Sequence, residues 1–246
     1  MRVLTFSNQT IAAVRPRSAH PAPALEGCGV AMHLATAIPK SDHPDDWRTN
    51  DRVRREGTRN LLDACKEVGV GTYIQQSIAM LQAHGDAWTD EETPVSPTAR
   101  TASAVDMEAL VTESELEWCI LRGGYFYGRG TRSDWRLEQA RAGRLMLPGD
   151  GAAYLSLIHV SDMAAAVVKA VSLRPRRKLF CVVDNEPVTY RDLSSHLAST
   201  IGSARPLSAP ATAVPSFRVS NERARQALQW QPHYATYRSG IDVGPA

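Results

Sequence analysis

The sequence "TNDRVRREGTRNLLDACKEVG" at residues 49–69 lies between two shorter β-type runs, "GVAMHLAT" at 29–36 and "TYIQQSIAM" at 72–80. Its apolar and small residues recur at helical spacing, and Gly69 follows as a C-terminal stop. The predicted stripe consists of Val53, Gly57, Leu61, Leu62 and Cys65. A strand, a helix and a second strand at this spacing form a crossover, which is typical of a parallel sheet.

Strands and helices alternate in the same way along the rest of the chain. Further β-type runs are "TIAAVR" (10–15), "EWCILRGGYFYG" (117–128) and "LFCVVD" (179–184). Further helical patterns are "TASAVDMEALVTES" (101–114) and "VSDMAAAVVKAVS" (160–172). The pattern predicts an α/β fold, a Rossmann-like doubly wound parallel sheet with helices on both faces.

Length and charge restrict the class of protein. A chain of 246 residues with 43% hydrophobic residues can bury a sizeable core, so we expect one domain with a lobe. Lys and Arg number 28 against 26 Asp and Glu, and the resulting charge of +2 makes nucleic acid an unfavourable partner. No apolar stretch approaches the roughly 18 residues of a membrane span. These features predict a soluble, cytoplasmic protein with no membrane partner.

The four cysteines lie far apart and give no metal-ligand spacing. They are Cys28, Cys65, Cys119 and Cys181. Because cysteine is among the residues most often buried, we expect small buried thiols in a reducing compartment and no metal site.

The N-terminal segment "MRVLTFSNQTIAAVRPR" (1–17) has two strand patterns separated by only three residues, Ser7, Asn8 and Gln9. A dinucleotide-binding fold normally places a glycine turn and a helix here, so that backbone N–H groups reach the pyrophosphate. Three residues cannot supply a parallel crossover. We therefore expect that the first strand pairs antiparallel or lies elsewhere, and that the first βα unit is incomplete. A misread N-terminus is the alternative explanation.

From Gly29 onward the order of motifs resembles the extended short-chain dehydrogenase/reductase family, the NAD-dependent epimerase/dehydratase group. The resemblance extends from there over most of the chain. The motifs that carry it are "VAMHLAT", "NDRVRREGTRNLLDAC", "YIQQSIAM", "LRGGYFYGRG", "LPGDGAAYLSLIHVSDMAAAVVKAV", "VVDNEPVTYRDLSSHLASTIG" and "NERARQALQWQPHY".

The resemblance implies a single domain, residues 1–246, made of a core and a lobe. The Rossmann-like core is expected at about 1–124 and 155–184. A small C-terminal substrate lobe of about 125–154 and 185–246 is expected to hold the substrate.

The family's catalytic Tyr and Lys have no counterpart in this sequence. Anchored on Glu108, the resemblance gives the Tyr position to Arg100 and the Lys position to Ala104. Neither can serve, because a guanidinium stays protonated and an alanine holds no proton. No other Tyr lies between Tyr73 and Tyr125.

The missing glycine turn and Lys predict no cofactor, or weak NADP binding, with NAD(P) expected only if the N-terminus is misread. Arg15 and Arg17 lie where NADP users of the family place arginine against the 2′-phosphate. His33 belongs to a segment that lines the cofactor cleft in relatives. The alternatives are two solvated arginines and a hydrogen-bonded core histidine.

The expected catalytic groups are Ser77 at a strand end, Tyr127 in the "YGRG" motif, and Arg100 as a permanent cation that stabilises an enolate or carboxylate. Ser77 alternatively caps backbone groups. Substrate-binding side chains are expected on the segment after the Tyr-Gly motif, where the competing explanation is a solvated helix face. They are Arg132, Trp135 and Arg136.

Three functions remain open on the sequence alone. The first is a non-redox catalyst on a small organic molecule, performing isomerisation, dehydration or cyclisation. The second is an NADP-dependent oxidoreductase or epimerase with a misread N-terminus. The third is a non-catalytic relative that binds a small molecule or a partner. A small-molecule substrate is the expected partner, and a homodimer is a further possibility.

Overall fold

The computed structural model describes residues 3–6, 9–12, 21–39, 43–82, 85–203, 206–208 and 214–241. Only the backbone is described at 3–6, 9–12, 44, 132–135 and 208.

Fourteen strands occur in the described part of the chain. They are β1 (Val3–Phe6), β2 (Gln9–Ala12), β3 (Val30–His33), β4 (Thr72–Ile78), β5 (Gly85–Thr89), β6 (Glu117–Gly123), β7 (Tyr125–Tyr127), β8 (Met146–Leu147), β9 (Tyr154–Leu155), β10 (Leu157–His159), β11 (Lys178–Val182), β12 (Val188–Thr189), β13 (Leu207–Ser208) and β14 (Phe217–Val219).

The α-helices of the same residues are α1 (Ala22–Leu25), α2 (Arg48–Arg52), α3 (Thr58–Val68), α4 (Ala102–Thr112), α5 (Arg132–Arg141), α6 (Val160–Leu173), α7 (Tyr190–Thr200), α8 (Glu222–Ala227) and α9 (Tyr237–Gly240). Short 3₁₀ segments lie at Pro44–Trp47 and Ala79–Leu81, and a π-helical turn, Val53–Gly57, joins α2 to α3.

The central sheet has the strand order β11-β6-β4-β3. β3 and β4 run parallel, with Val30 opposite Thr72 and His33 opposite Gln75, and the α2–α3 helix connects them. Gly69 ends that helix with a left-handed backbone, φ 76°. The predicted strand–helix–strand unit and the predicted α/β class are confirmed.

At the N-terminus, β1 pairs antiparallel with β2, with Val3 opposite Ala12 and Phe6 opposite Gln9. The antiparallel alternative predicted for the first strand is therefore confirmed. The expectation that residues 10–15 form a strand of the parallel sheet is wrong over the described part, because β2 pairs with β1 there. Residues 13–20 lie outside the described residues, so the incomplete first βα unit stays a prediction.

The chain divides into two compact units. The first unit contains Met1–Ser77, Pro97–Leu121 and Ala170–Leu179, and the second contains Ile78–Ser96, Arg122–Lys169 and Phe180–Ala246. The boundaries predicted for a core and a substrate lobe stay a prediction.

The core of the first unit is apolar and is built on β3, β4, α3 and α4. Its buried residues are Ala22, Leu25, Ala31, Leu62, Ala64, Cys65, Val70, Tyr73, Val111 and Ile120. Leu62 and Cys65 lie there as the helical pattern predicts.

The rest of the buried face of the α2–α3 helix differs from the predicted stripe. Val53 and Gly57 are only half-buried. The buried positions instead carry polar side chains at a spacing of four, Asn50, Arg54 and Thr58. The π-helical turn between α2 and α3 explains the change, because its extra residue rotates the helix face that follows.

The second unit has its own core, in which α5, α7 and the short strands β7, β9, β10 and β12 pack together. Its buried residues are Tyr127, Leu137, Ala140, Leu145, Leu155, Leu157, Val188, Leu193, Leu197 and Tyr237. Strand β7 pairs parallel with β10, so that Tyr127 lies opposite His159.

All four cysteines are thiols; Cys65, Cys119 and Cys181 are buried, and Cys28 is half-buried. Burial raises the pKa of Cys65 and of Cys119 to about 12, so both stay protonated at neutral pH. No helix within the described ranges is long and apolar enough to cross a membrane.

Candidate functional site

The carboxyl edge of β3 and β4 brings two predicted site residues of the first unit to one place. His33 ends β3, and Ser77 lies on β4 two residues beyond Gln75, the parallel partner of His33. His33 is 6% exposed and Ser77 is 2% exposed. Ligands of open α/β sheets bind outside the carboxyl ends of the strands. This edge is therefore the candidate site of the first unit.

The Ser77 hydroxyl is buried without a hydrogen-bond partner among the described residues. The alternative role considered from the sequence was that Ser77 caps backbone groups, but its hydroxyl makes no hydrogen bond to a backbone group of the described residues. A buried hydroxyl left unpaired costs free energy. Its Oγ is therefore a group that gains from a ligand oxygen or nitrogen at the strand end.

His33 is held by a buried polar network. Its Nδ1 lies 3.0 Å from Thr58 Oγ1 and 3.2 Å from Gln75 Oε1. Gln75 Nε2 donates to the His33 carbonyl at 3.2 Å, and the Tyr73 hydroxyl donates to Gln75 Oε1 at 3.1 Å. Burial lowers the pKa of His33, so the ring is neutral at neutral pH. The network orients the strand end and fixes the His33 ring.

The polar stripe of the α2–α3 helix faces the same edge. Asn50 Oδ1 accepts a hydrogen bond from the Ala37 N–H, in the loop after β3, at 3.0 Å. Thr58 contacts His33 as described, and Arg54 lies between Asn50 and Thr58 at a spacing of four. Arg54 Nη1 donates to Ser103 Oγ at 3.2 Å. Burial lowers the pKa of Arg54, and nearby Asp51 opposes the shift.

Arg100 and Ala104, the positions matched to the family's Tyr and Lys, lie at the start of α4. Arg100 is exposed in the turn before the helix, and Ala104 is fully buried on it. The Arg54 guanidinium reaches Ser103, the neighbour of Ala104. The role expected for Arg100 as an anion-stabilising cation stays a prediction.

Tyr127 lies in the core of the second unit. Its ring meets His159 edge to face, with centroids 5.2 Å apart, and the His159 and Tyr234 ring centroids lie 4.0 Å apart with the rings tilted by 46°. The Tyr127 hydroxyl has no hydrogen-bond partner among the described residues. Burial raises the pKa of the phenol far above its ordinary value, and Asp184 and Asp162 raise it further. The phenol therefore keeps its proton, so it can donate a hydrogen bond and cannot act as a base at neutral pH.

Arg136, predicted to bind substrate, lies on α5 over two aromatic rings. Its Cζ is 5.8 Å from the Tyr125 centroid and 5.4 Å from the Tyr190 centroid. Both contacts are cation–π interactions, which hold the guanidinium within its own unit. The side chains of Arg132 and Trp135 lie outside the described residues, as do Arg15 and Arg17 entirely.

A pocket of about 500 Å³ opens in the second unit. Its lining is polar apart from an indole and a valine and includes Trp88, Asp184, Asn185, Asn221, Arg225 and Gln226. Asn221 fixes one wall, because its Nδ2 donates to the Val183 carbonyl at 2.8 Å and to Asn185 Oδ1 at 2.8 Å.

Asp184 is the buried acid of this pocket, 2% exposed. Its Oδ1 accepts the Glu186 N–H at 3.2 Å, and its Oδ2 has no partner within the described residues. Burial raises the pKa of Asp184 to about 8. The carboxyl is therefore largely protonated at neutral pH.

Sequence reasoning missed Asn50, Arg54, Ser103 and Asp184. The spacing of Asn50, Arg54, Thr58 and Leu62 did not by itself reveal them, because the predicted stripe of Val53, Gly57, Leu61 and Cys65 has the same spacing of four. No local signal marked Asp184. No group of three His, Cys, Asp or Glu residues in the described ranges is placed to hold a metal ion.

Comparisons with known proteins agree with this architecture. A family model described as NAD(P)H-binding matches residues 15–172. The chain is 33% identical over 238 residues to a 3-diazoavenalumate denitrifying reductase from a Streptomyces species, covering 86% of this chain and 78% of that protein.

Solved structures are similar at lower identity. MoeE5, in complex with UDP-glucuronic acid and NAD, has a TM-score of 0.78 and 23% identity over 92% of this chain and 80% of that chain. DesIV, a dTDP-glucose 4,6-dehydratase from Streptomyces venezuelae solved with NAD, has a TM-score of 0.77 and 18% identity, covering 89% of this chain and 72% of that chain. At these identities the likeness concerns the fold.

The match to an NAD(P)H-binding model overturns the expectation of no cofactor or weak NADP binding. That expectation considered only the glycine turn and the family's Lys as hydrogen-bond donors to the cofactor. The carboxyl edge of β3 and β4 offers other hydrogen-bond donors, because Ser77 Oγ and Asn50 Nδ2 are buried there without partners among the described residues. Unpaired donors at the carboxyl end of a parallel sheet fit a ligand rich in ribose and phosphate oxygens.

Proposed function

Because the chain belongs to the NAD(P)H-binding family, with the fold of the extended short-chain dehydrogenases/reductases, we propose that it is an NAD(P)H-dependent reductase of a small organic molecule. The observation that carries the proposal is the family match over residues 15–172. The 33% identity to a reductase supports the direction of the reaction, from reduced cofactor to substrate.

The residues at the carboxyl edge of β3 and β4 hold the cofactor in this proposal. His33 stays neutral and fixed by Thr58 and Gln75, so it shapes the edge without taking a proton. The Ser77 hydroxyl donates a hydrogen bond to the ligand and thereby satisfies a buried atom. When bound, the reduced nicotinamide supplies a hydride to an electrophilic carbon of the substrate.

The missing Tyr and Lys favour a particular class of hydride acceptor. Reduction of a ketone creates an alkoxide that needs a proton, and Arg100 and Ala104 cannot supply one. A cationic acceptor, such as an aryl carbon bearing a diazonium group, is neutralised by the hydride and needs no proton from the enzyme. The relative's name, a denitrifying reductase of a diazo compound, points to the same class. We therefore propose an aromatic electrophile of this kind as the substrate.

The test follows deuterium from NADPH labelled at the nicotinamide C4. We expect the protein to consume NADPH with an aryl diazonium carboxylate and to place deuterium on the ring carbon that loses N₂, as seen by mass spectrometry. Enzyme-free and heat-denatured samples measure the spontaneous reaction. Cofactor-independent conversion of substrate would instead support the non-redox isomerisation, dehydration or cyclisation considered from the sequence, and absence of NADPH and NADH binding would contradict the proposal.

Ser77→Ala is expected to lower kcat/KM about tenfold, the loss of one buried hydrogen bond, while the fold is retained. Steady-state kinetics and thermal unfolding of the same samples check both parts. Tyr127→Phe removes a second buried hydroxyl and serves as the matched variant. It is expected to keep its activity, because a cationic acceptor needs no phenolic proton. A large loss in Tyr127→Phe with an unchanged Ser77→Ala would reverse these assignments.

A further inference from the structure

The polar stripe of the α2–α3 helix places a buried cation beside the carboxyl edge of β3. Asn50 is 0% exposed, Arg54 4% and Thr58 0%. Asn50 binds the Ala37 N–H in the loop after β3, and Thr58 binds the His33 ring at the end of β3. Since the two outer residues both contact this edge, Arg54 between them lies beside it.

Arg54 lacks the partner that a buried guanidinium normally has. Its only hydrogen bond within the described residues goes to the neutral Ser103 hydroxyl, and no carboxylate in that part of the chain lies within 4.0 Å of it. Asp51 acts on it only through the longer-range field. Buried charged side chains are almost always paired, because an unpaired charge loses its hydration without compensation.

The neighbour of Arg54 on the stripe is also an unsatisfied donor. Asn50 Nδ2 is buried with no acceptor among the described residues. The edge therefore presents a guanidinium and an amide N–H₂ with an excess of donors over acceptors. A guanidinium has five N–H donors in a planar fork that matches carboxylate and phosphate oxygens.

We propose that Arg54 and Asn50 Nδ2 form an oxyanion-binding site at the carboxyl edge of β3. The ligand group is a carboxylate or a phosphate. It comes from the substrate's acid group or from a phosphate of the cofactor, and only the naming of these two sources rests on the proposed function. Bound there, the oxyanion pairs the buried charge and satisfies the orphaned amide.

Two substitutions test the site in the intact protein. Arg54→Met removes the charge and keeps most of the side-chain volume. Asn50→Asp keeps the acceptor for the Ala37 N–H and adds a carboxylate four residues before Arg54, where it pairs with the guanidinium. Arg55→Met is the matched control, because Arg55 is the neighbouring arginine, its side chain is 43% exposed, and it is paired with Asp106 at 2.6 Å.

The probes are NADPH, NADH, inorganic phosphate and benzoate, each titrated calorimetrically in a buffer free of other oxyanions. Arg54→Met and Asn50→Asp are expected to weaken at least one anionic probe roughly 10- to 100-fold, and Arg55→Met to leave it unchanged. Asn50→Asp is also expected to keep or raise the Tm, which separates a filled site from an unfolded protein.

The probes whose affinity falls in the variants identify the source of the oxyanion. Weaker NADPH and phosphate binding assigns the site to the cofactor, and weaker benzoate binding with unchanged NADPH binding assigns it to the substrate. If Arg54→Met does not fold, Asn50→Asp decides. Wild-type affinities in Asn50→Asp, or no binding of any probe to the wild type, would overturn the site. Loss of phosphate or benzoate binding in a protein that never binds NADPH or NADH would keep this inference and remove the proposed function.

Discussion

Asp184→Asn is expected to raise the free energy of unfolding by roughly 5 kcal/mol at about pH 9 and to leave it almost unchanged below about pH 4. The carboxyl is 2% exposed, and burial raises its pKa from an ordinary 3.8 to about 8. In the unfolded chain the same group ionises near 3.9. The neutral amide avoids the cost of a buried charge and keeps an acceptor for the Glu186 N–H.

The sign of the pH dependence follows from the raised folded-state pKa. Stability from a neutral Asp184 is fully present below the unfolded-state pKa of about 3.9 and is lost as the pH rises through about 8. The wild-type free energy of unfolding should therefore fall across this range relative to that of Asp184→Asn. Denaturant titrations at several pH values measure the difference between the two proteins.

Asp63→Asn is the control, since Asp63 is exposed on α3. Its pH profile should follow the wild type. An Asp184→Asn profile parallel to the wild-type profile would show that the buried carboxyl is not neutral in the folded protein.

Gly124→Ala is expected to destabilise the protein by about 3 kcal/mol or more, at the upper end of the cost of overpacking. A Cβ at this position would lie 2.5 Å from the Ser156 carbonyl oxygen, 3.0 Å from Val183 Cγ1 and 3.1 Å from the Leu157 carbonyl carbon. Two of these atoms are backbone and cannot rotate away. The residue sits at the break between β6 and β7, where its N–H donates to the Val182 carbonyl at 3.1 Å.

Denaturant unfolding and the yield of soluble protein check this expectation. Gly71→Ala is the matched variant, because nothing lies within 4 Å of a Cβ there. It should unfold like the wild type. Equal stability of the two variants would mean that the β6–β7 break adjusts without cost.

The sequence located the strand ends that form the candidate site but not its buried polar residues. His33 and Ser77 were recognised because the strand motifs "VAMHLAT" and "YIQQSIAM" resemble those of the family, and a strand motif is a local feature of the chain. Arg54 was missed because its burial depends on Ser103, 49 residues further along, and on a π-helical turn that rotates the helix face. Arg54 is also the cation of the proposed oxyanion site, so the omission affects function as well as packing.

The expectation about the cofactor failed for a related reason. It judged binding by two motifs, the glycine turn and the Tyr–Lys dyad, and both are absent from the sequence. The family match and the unpaired donors Ser77 Oγ and Asn50 Nδ2 depend on residues contributed by several elements. The homodimer, the cytoplasmic location and the role of Arg100 stay predictions, and the proposed function no longer requires the proton transfer expected of Tyr127.

The amino-acid sequence by itself determined the α/β class, the β3–α3–β4 unit and the placement of His33 and Ser77 at the strand ends. Hydrophobic periodicity and glycine stops act within one element, so they are legible in the chain. Only the tertiary structure decided the burial of Arg54 and the raised pKa of Asp184. The desolvation of a charged group is set by atoms from distant segments, and no local pattern records which segments meet.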